Sequence, residues 1–282
     1  MGQSKERIMK GIFLLSATTS IIAVFLICVF LFANGLPAIA EIGPLKFLLG
    51  TTWKPSNNLY GILPMILGSI YVTAGAIVVG VPIGILTAIF LAKFCPDHVY
   101  KLIKPAIELL AGIPSVVYGF FGLVAIVPFV RNHFGGNGTS MLTASVLLGI
   151  MILPTIINVS ESAIRAVPDN YYEGGRALGA SHERSVFFVI FPAARSGVLA
   201  GVILGIGRAI GETMAVIMVA GNQARMPKGL LKGLRTLTGN IVIEMGYAAD
   251  LHRESLIATA VVLFVFILII NLSFSILSRK SL

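Results

Sequence analysis

Hydrophobic residues form long runs along this chain, and short polar segments separate the runs. A helix needs about 20 apolar residues to cross the ~30 Å hydrocarbon core of a bilayer. Runs of at least that length cover residues 11–33, 63–92, 106–130, 141–164, 198–220 and 255–278. The pattern therefore predicts six membrane-spanning helices.

The composition agrees with a membrane protein. Hydrophobic residues make up 56% of the 282 residues and charged residues 12%, whereas soluble domains are about 25% charged. We therefore predict an all-α integral membrane protein that passes the bilayer several times. No low-complexity linker divides the chain, so a single membrane domain is the simplest interpretation.

The formal net charge of +9 comes from lysines and arginines scattered over the polar segments. A lipid bilayer accounts for such a distribution, and we expect no nucleic-acid partner. Cys28 and Cys95 lie at different predicted depths without metal-ligand spacing, and the four histidines fall in segments predicted to be loops. We therefore expect no metal site.

The first run allows two interpretations. It follows three basic residues and precedes Ala38-Ile39-Ala40, so it resembles a secretory signal with a cleavage site. The apolar core of a signal is about 7 to 15 residues long, whereas this run has 23 residues. The length favours a helix that is retained.

Six spans place both termini on the same side of the membrane. With the N-terminus inside, the cytoplasmic segments hold 12 Lys and Arg in 60 residues, and the outer segments hold 8 in 71. Cytoplasmic loops are enriched in Lys and Arg. We therefore expect both termini in the cytoplasm and the loop 222–254 outside.

The third run contains the sequence ELLAGIPSVVYGFFG at 108–122. Pro114 removes a helical hydrogen bond, and such a break is tolerated in a membrane only inside protein or along a water-filled cavity. We predict a kink at Pro114, with Ser115 and Tyr118 as further candidates for lining a pore. Close helix packing at the kink is the alternative.

The longest inner segment, 165–197, has mixed charges. Pro168 and Asp169 can start a short helix there, and Gly179 can end it. A cytoplasmic helix is therefore predicted at about 168–185. Its mixed charges are poorly suited to an anionic lipid surface, which is the alternative location.

This inner segment resembles the docking loop of bacterial binding-protein-dependent ABC importer permeases. The resemblance lies in the spacing of Glu173-Gly174-Gly175, Gly179 and 189–192 (VIFP), although glycines stand where the family has alanines. The stretches 108–122, 150–156, 177–180, 207–222 (GRAIGETMAVIMVAGN) and 236–246 resemble permeases of high-affinity phosphate ABC transporters, of the PstC type. The resemblance extends from about residue 61 to the C-terminus. It implies a permease transmembrane domain at 61–282, preceded by an N-terminal transmembrane helix and outer loop at 1–60.

The resemblance implies the type I ABC importer permease fold and a bacterial cytoplasmic (inner) membrane location. It implies an assembly with a second permease of the PstA type as heterodimer partner, two ATPase subunits of the PstB type and an extracytoplasmic phosphate-binding protein of the PstS type. The chain would form half of the translocation path for phosphate. The residues expected to contact the ATPase are Glu173, Gly174, Gly175, Arg176 and Gly179.

The chain contains no GxxxxGK[ST] phosphate-binding loop, the motif that binds nucleotide phosphates in many ATPases. We therefore expect no enzymatic activity and no cofactor on this chain, with ATP and Mg bound by the partner ATPase. Two alternatives stay open: a proton-coupled secondary anion transporter, and an ABC permease for another oxyanion. A stand-alone carrier has no need of a docking helix, which favours the ABC importer.

The fifth run carries Arg208 and Glu212 in an otherwise apolar stretch. If the run is one helix, Arg208 lies ~15 Å along it, and both charges share a face with small residues. A charge in the membrane costs about 2.5 to 3.5 kcal/mol. An i,i+4 ion pair with the arginine first stabilises a helix by only tenths of a kcal/mol. We therefore place Arg208 and Glu212 on the substrate path, where the guanidinium suits phosphate oxygens.

Glu212 suggests a basis for selectivity. Hydrogen phosphate carries a hydroxyl that can donate to a carboxylate, whereas sulfate does not, so Glu212 would reject sulfate. A structural Arg208–Glu212 pair and a pair between Glu212 and an arginine of the partner permease are the alternatives. Hydrogen bonds between helices are expected for four polar residues of the fourth span, Thr155, Asn158, Ser160 and Glu161.

Overall fold

Helices make up most of the structure, in the order that the hydrophobic runs predict. A computed structural model of the chain describes residues 3–280. In chain order its helices are α1 (Gln3–Ile42), α2 (Pro44–Leu49), α3 (Leu63–Ile89), α4 (Asp97–Gly112), α5 (Ser115–Phe121), α6 (Val127–Phe134), α7 (Met141–Arg165), α8 (Asp169–Ala177), α9 (His182–Ser185), α10 (Phe191–Ala193), α11 (Arg195–Gly211), α12 (Met214–Val219), α13 (Leu237–Glu244) and α14 (Asp250–Lys280).

Shorter elements join these helices. The strands β1 (Trp53–Lys54) and β2 (Leu59–Tyr60) pair antiparallel, with Trp53 opposite Tyr60, around a 3-10 turn at Pro55–Asn57. π-helical turns extend α3 at Phe90–Phe94, join α5 to α6 at Gly122–Ile126 and lead into α10 at Val186–Ile190. The hairpin therefore forms part of the segment between the first two spans.

The central helix is α7, which packs against α3 and α11. Small residues allow the close approach of these helices. A Cβ atom on Gly80 of α3 would lie 2.8 Å from the carbonyl oxygen of Gly149, and one on Gly205 of α11 would lie 2.8 Å from the Ile156 side chain. Because a Cβ atom does not fit at such distances, glycine is required for this packing.

Within residues 3–280, five helical stretches are long and apolar enough to cross a membrane, or six if the bent pair His182–Ala193 and Arg195–Gly211 is one span. Two predicted spans differ from continuous helices. The third breaks at Pro114, so its spanning part is Ser115–Phe134. The fifth ends as a helix at Gly211, and α12 follows separately.

The segments predicted to be outer loops are more ordered than the sequence predicts. α1 continues through the expected start of the first outer loop to Ile42. Ala38, in the stretch that resembles a cleavage site, lies inside α1 and is fully buried beside the hairpin and α14. The predicted loop 222–254 contains α13, where Leu237 and Asn240 are fully buried.

Candidate substrate path and coupling surface

The third span breaks at Pro114. α4 ends at Gly112, and Pro114 has extended backbone angles (φ −58°, ψ 141°) before α5 begins at Ser115. The Tyr118 hydroxyl donates a hydrogen bond across the break to the carbonyl oxygen of Leu110, at 2.8 Å. Pro114 is exposed and Ser115 is half-buried, whereas Tyr118 is buried. The predicted break at Pro114 is thus present, and the hydrogen bond from the buried Tyr118 stabilises it.

An open groove of about 590 Å³ lies beside this break. Its walls are Pro105, Glu108, Leu109, Gly112, Ile113 and Pro114. Of the three residues considered for a pore, Pro114 therefore faces open space, while Ser115 and Tyr118 do not line this groove.

A second break interrupts the fifth span. α11 ends at Gly211, and Glu212 has extended angles (φ −69°, ψ 132°). The Glu212 Oε1 atom accepts hydrogen bonds from the backbone N–H groups of Thr213 at 3.0 Å and Ala215 at 3.2 Å. In a continuous helix those N–H groups would bond to carbonyls four residues earlier. The carboxylate takes their place, and its negative charge is favourable at the start of α12.

The structure corrects the helical-wheel argument for this span. The wheel placed Arg208 and Glu212 on one face by assuming a continuous helix, and that assumption is wrong beyond Gly211. Arg208 is half-buried, and its Nη1 donates to Thr155 Oγ1 on α7 at 3.3 Å. Among the residues that the structure describes, Arg208 and Glu212 form no ion pair within 4.0 Å.

The two breaks lie near each other because α5 packs against α12. A Cβ atom on Gly119 of α5 would lie 2.6 Å from Met218 Sδ and 2.9 Å from the Ala215 Cα atom of α12. Only glycine permits this approach. Two interrupted helices thus meet at membrane depth, where an irregular backbone must be buried in protein or line a water-filled cavity.

A small cavity lies beside Glu212. Its lining includes Ser69, Thr73 and Thr236, and its volume of about 10 Å³ leaves room for one water molecule. Arg208 does not line it. Arg208 and Glu212 thus lie beside one helix break, and this cavity is too small for phosphate.

The helix predicted in the inner segment is α8. It ends at Ala177, and Gly179 follows in the left-handed conformation (φ +83°), which favours glycine. The Arg176 guanidinium donates to the carbonyl oxygen of Ala180 at 2.9 Å, which closes the turn. The five residues expected to contact the ATPase are exposed or half-buried: Glu173, Gly174, Gly175, Arg176 and Gly179. Leu178 between them is 91% exposed.

His182 of α9 connects this surface to the second span. Its Nε2 lies 3.1 Å from the carbonyl oxygen of Lys93, and its Nδ1 lies 2.9 Å from the Tyr172 hydroxyl. A carbonyl oxygen can only accept, so Nε2 carries a proton; in the neutral imidazole Nδ1 then accepts from the Tyr172 hydroxyl. The prediction that the histidines lie in loops is wrong, since His98, His133, His182 and His252 all lie in helices.

A buried carboxylate joins α4 to α7. The Glu161 side chain is 2% exposed, and it lies 2.8 Å from Lys104 Nζ and 2.8 Å from Arg165 Nε. The Tyr100 hydroxyl, outside the spanning segments, donates to the same carboxylate at 2.8 Å. Burial and then this hydrogen bond raise the pKa of Tyr100, so the phenol remains a donor. The predicted helix–helix hydrogen bond of Glu161 is confirmed, but its two cationic partners were not foreseen.

A second buried carboxylate, Glu244, orders the segment 222–254, which the sequence predicts to be an outer loop. It accepts from Trp53 Nε1 at 2.8 Å, lies 2.9 Å from His252 Nε2 and pairs with the Arg235 guanidinium. These contacts tie α13 to the hairpin and to α14. The basic sequence of the loop contains no local signal for this arrangement.

Comparison with known proteins decides the family. Residues 80–281 match the family described as binding-protein-dependent transport system inner membrane component. The chain belongs to that family. This transport-system component is therefore a multi-pass protein of the inner membrane, and a secondary carrier is not favoured.

Within residues 3–280, no group of three His, Cys, Asp or Glu side chains could hold a metal ion.

Relatives of this transport-system component are similar over most of their length. The probable ABC transporter permease protein YqgH of Bacillus subtilis is 38% identical over 256 residues, which cover 87% of this chain and 83% of the relative. The phosphate transport system permease protein PstC of Mesorhizobium japonicum is 35% identical over 260 residues, covering 85% and 79%. The resemblance found in the sequence motifs is thus confirmed.

Solved structures establish the fold of this family member. A bacterial ABC transporter involved in the import of alginate has a chain with a TM-score of 0.63 at 14% identity, covering 99% of both chains. The inward-facing MetNI methionine ABC transporter gives a TM-score of 0.60 at 20% identity, covering 85% of this chain and 99% of that chain. The predicted type I ABC importer permease fold is confirmed.

Proposed function

We propose that this chain is the permease subunit of an ATP-driven phosphate importer. It forms half of the translocation path and couples it to a cytoplasmic ATPase. The observation that carries the proposal is the 35% identity, over 85% of this chain, to a protein named phosphate transport system permease. Arg208 supports it chemically, because a half-buried guanidinium offers the donors that phosphate oxygens need.

In the proposed assembly, partner subunits supply the second half of the path, the ATPase and the binding protein. A PstA-type permease supplies the other half of the path around Arg208 and Glu212, since the cavity beside Glu212 on this chain has room for about one water molecule only. Two PstB-type ATPase subunits bind ATP and Mg and contact the surface around Gly179. A PstS-type binding protein delivers phosphate from outside. No cofactor is assigned to this chain.

Uptake of radiolabelled phosphate, with and without this chain, tests the proposal. We expect uptake that depends on ATP and on co-purifying ATPase subunits, and that arsenate inhibits but sulfate does not. Equal inhibition by sulfate and arsenate would indicate a permease for another oxyanion. Uptake without any ATPase subunit would indicate a secondary carrier.

Glu212→Gln is expected to leave the complex assembled but to reduce discrimination against sulfate. Glutamine keeps the Oε1 acceptor for the N–H groups of Thr213 and Ala215, so the start of α12 is preserved. It removes the charge that repels fully deprotonated sulfate. Sulfate competition during phosphate uptake should become stronger by roughly tenfold.

Glu212→Ala is the matched control, since it removes the backbone acceptor as well as the charge. We expect it to destabilise the complex by about 1 kcal/mol, as the loss of a helix cap does, and to lower the yield. Sulfate exclusion that is unchanged in Glu212→Gln would mean that Glu212 lies outside the path.

Both termini are proposed to lie in the cytoplasm, on the basis of the Lys and Arg bias. An impermeant thiol reagent should label Lys228→Cys in sealed cells and Asn170→Cys only after the membrane is opened, in a chain whose Cys28 and Cys95 are replaced. Lys228 and Asn170 are both exposed, and Lys228 avoids the positive φ of Gly229. The reverse labelling would invert the topology.

A further inference from the structure

α7 carries a row of polar side chains that contact cations from two other helices. Arg208 Nη1 of α11 donates to Thr155 Oγ1 at 3.3 Å. One turn further along α7, Lys104 Nζ of α4 donates to Asn158 Oδ1 at 2.9 Å and to Glu161 Oε2 at 2.8 Å. The row therefore starts at a residue of the proposed substrate path and continues towards the coupling surface.

The two cation contacts are close together. Thr155 and Asn158 are three residues apart in one helix, so their Cβ atoms lie about 5 to 6 Å from each other. The Lys104 side chain is 20% exposed and Arg208 is half-buried, so water reaches both charges only in part. An anion moving along α7 would pass from one cation directly to the next.

Positive charge exceeds negative charge along this row. Within residues 3–280, Glu161 is the one carboxylate that pairs with these cations, and Lys104 and Arg165 share it. In the described part of the chain, the hydrogen bond of the Arg208 side chain goes to a neutral hydroxyl. Another carboxylate of α4, Glu108, is exposed in the groove beside Pro114. A partly desolvated cation is unfavourable unless an anion or water compensates it, and an oxyanion would do so.

Hydrogen-bond donors remain for such an anion. An ammonium group has three hydrogens, and Lys104 gives two of them to Asn158 and Glu161. A guanidinium has five N–H donors, and Arg208 gives one to Thr155. Both cations can therefore bind an oxyanion without losing the contacts that position them.

We propose that Lys104 and Asn158 form a second oxyanion contact, one helical turn from Arg208, which receives phosphate as it moves along α7; this inference rests on the proposed function. Lys104 keeps its hydrogen bond to Glu161, which acts as a positioning residue for the ammonium. The third N–H of Lys104, which neither Asn158 nor Glu161 uses, donates to a phosphate oxygen, and the Asn158 amide N–H donates to a second oxygen.

Alternatively, the contacts of Lys104 with Asn158 and Glu161 could have a structural role only, as a latch that holds α4 against α7. Asn158→Asp separates the two roles because it adds a charge with almost no change in volume. A carboxylate at 158 gives Lys104 a second anionic partner, so it would strengthen a latch. In an oxyanion contact the same carboxylate occupies Lys104 and repels phosphate. A latch therefore predicts wild-type uptake, and the oxyanion contact predicts a loss.

Uptake of radiolabelled inorganic phosphate by the assembled importer in proteoliposomes tests the inference. At equal complex yield, Asn158→Asp and Lys104→Met are each expected to lower the uptake rate at least ~tenfold. Lys101→Met is the matched control, since it removes the same charge from an exposed position of the same helix. It should transport at the wild-type rate.

Wild-type uptake by Asn158→Asp would overturn the inference. If Lys104→Met lowers the yield, it is compared with the same change in a Glu161→Gln background, which removes the ion pair between Lys104 and residue 161. A further loss of uptake per complex supports the oxyanion contact, and no further loss contradicts it. A wild-type complex that takes up no phosphate would instead refute the proposed function.

Discussion

Arg208→Lys is expected to lower phosphate uptake by about 100-fold while the complex still assembles. Lysine keeps the positive charge at this half-buried position, so folding should be little affected. It lacks the planar guanidinium group, whose N–H donors can bind two phosphate oxygens at once. Uptake of radiolabelled phosphate, divided by the amount of purified complex, measures the effect.

Arg195→Lys is the matched control, because Arg195 is the exposed first residue of the same helix. It should transport as the wild type does. A structural pair between Arg208 and Glu212 predicts that the swap Arg208→Glu with Glu212→Arg restores transport. We expect no restoration. Rescue by the swap, or normal uptake in Arg208→Lys, would contradict a role of Arg208 in the path.

Gly179→Trp is expected to abolish phosphate uptake while ATP hydrolysis continues. No heavy atom lies within 4 Å of the Cβ position at Gly179, so a Cβ atom there meets no clash within the described residues. The left-handed backbone (φ +83°) costs an ordinary residue about 1–2 kcal/mol, and the indole would cover the proposed docking surface. The ratio of uptake to ATP hydrolysis in the assembled importer measures the coupling.

Gly179→Asn separates the backbone effect from the effect of bulk, because asparagine tolerates the left-handed conformation. We expect this variant to keep most of the coupling. An equal loss in both variants would mean that any side chain at this position blocks docking. Normal coupling in Gly179→Trp would show that the turn after α8 does not contact the ATPase.

The features that could be predicted from the sequence arise from local physics. Long apolar runs define the spans because a membrane helix must cover the hydrocarbon core by itself. Pro114 separates α4 from α5 because it lacks a backbone N–H. Gly179 ends the turn after α8 because its backbone is left-handed. Each of these signals lies within a few residues of its effect.

The break after Gly211 shows where such signals fail. Neither proline nor a polar run marks it, and the fifth span looks continuous in the sequence. The helix ends because the Glu212 side chain takes the N–H groups of Thr213 and Ala215. The Thr238 hydroxyl, 26 positions away, also donates to the Glu212 carbonyl oxygen. Apolar periodicity carries no information about this competition between side chain and backbone.

The sequence by itself determined the spans, the kink at Pro114, the inner helix and the family. Only the tertiary structure decided which polar groups meet: Arg208 with Thr155 across 53 positions, Lys104 with Glu161 across 57, and Trp53 with Glu244 across 191. A buried polar group must find a partner, but the chain can supply that partner from any helix packed beside it. The packing of α4 and α11 on α7 determines which partners meet, and it therefore places the cations along the proposed path.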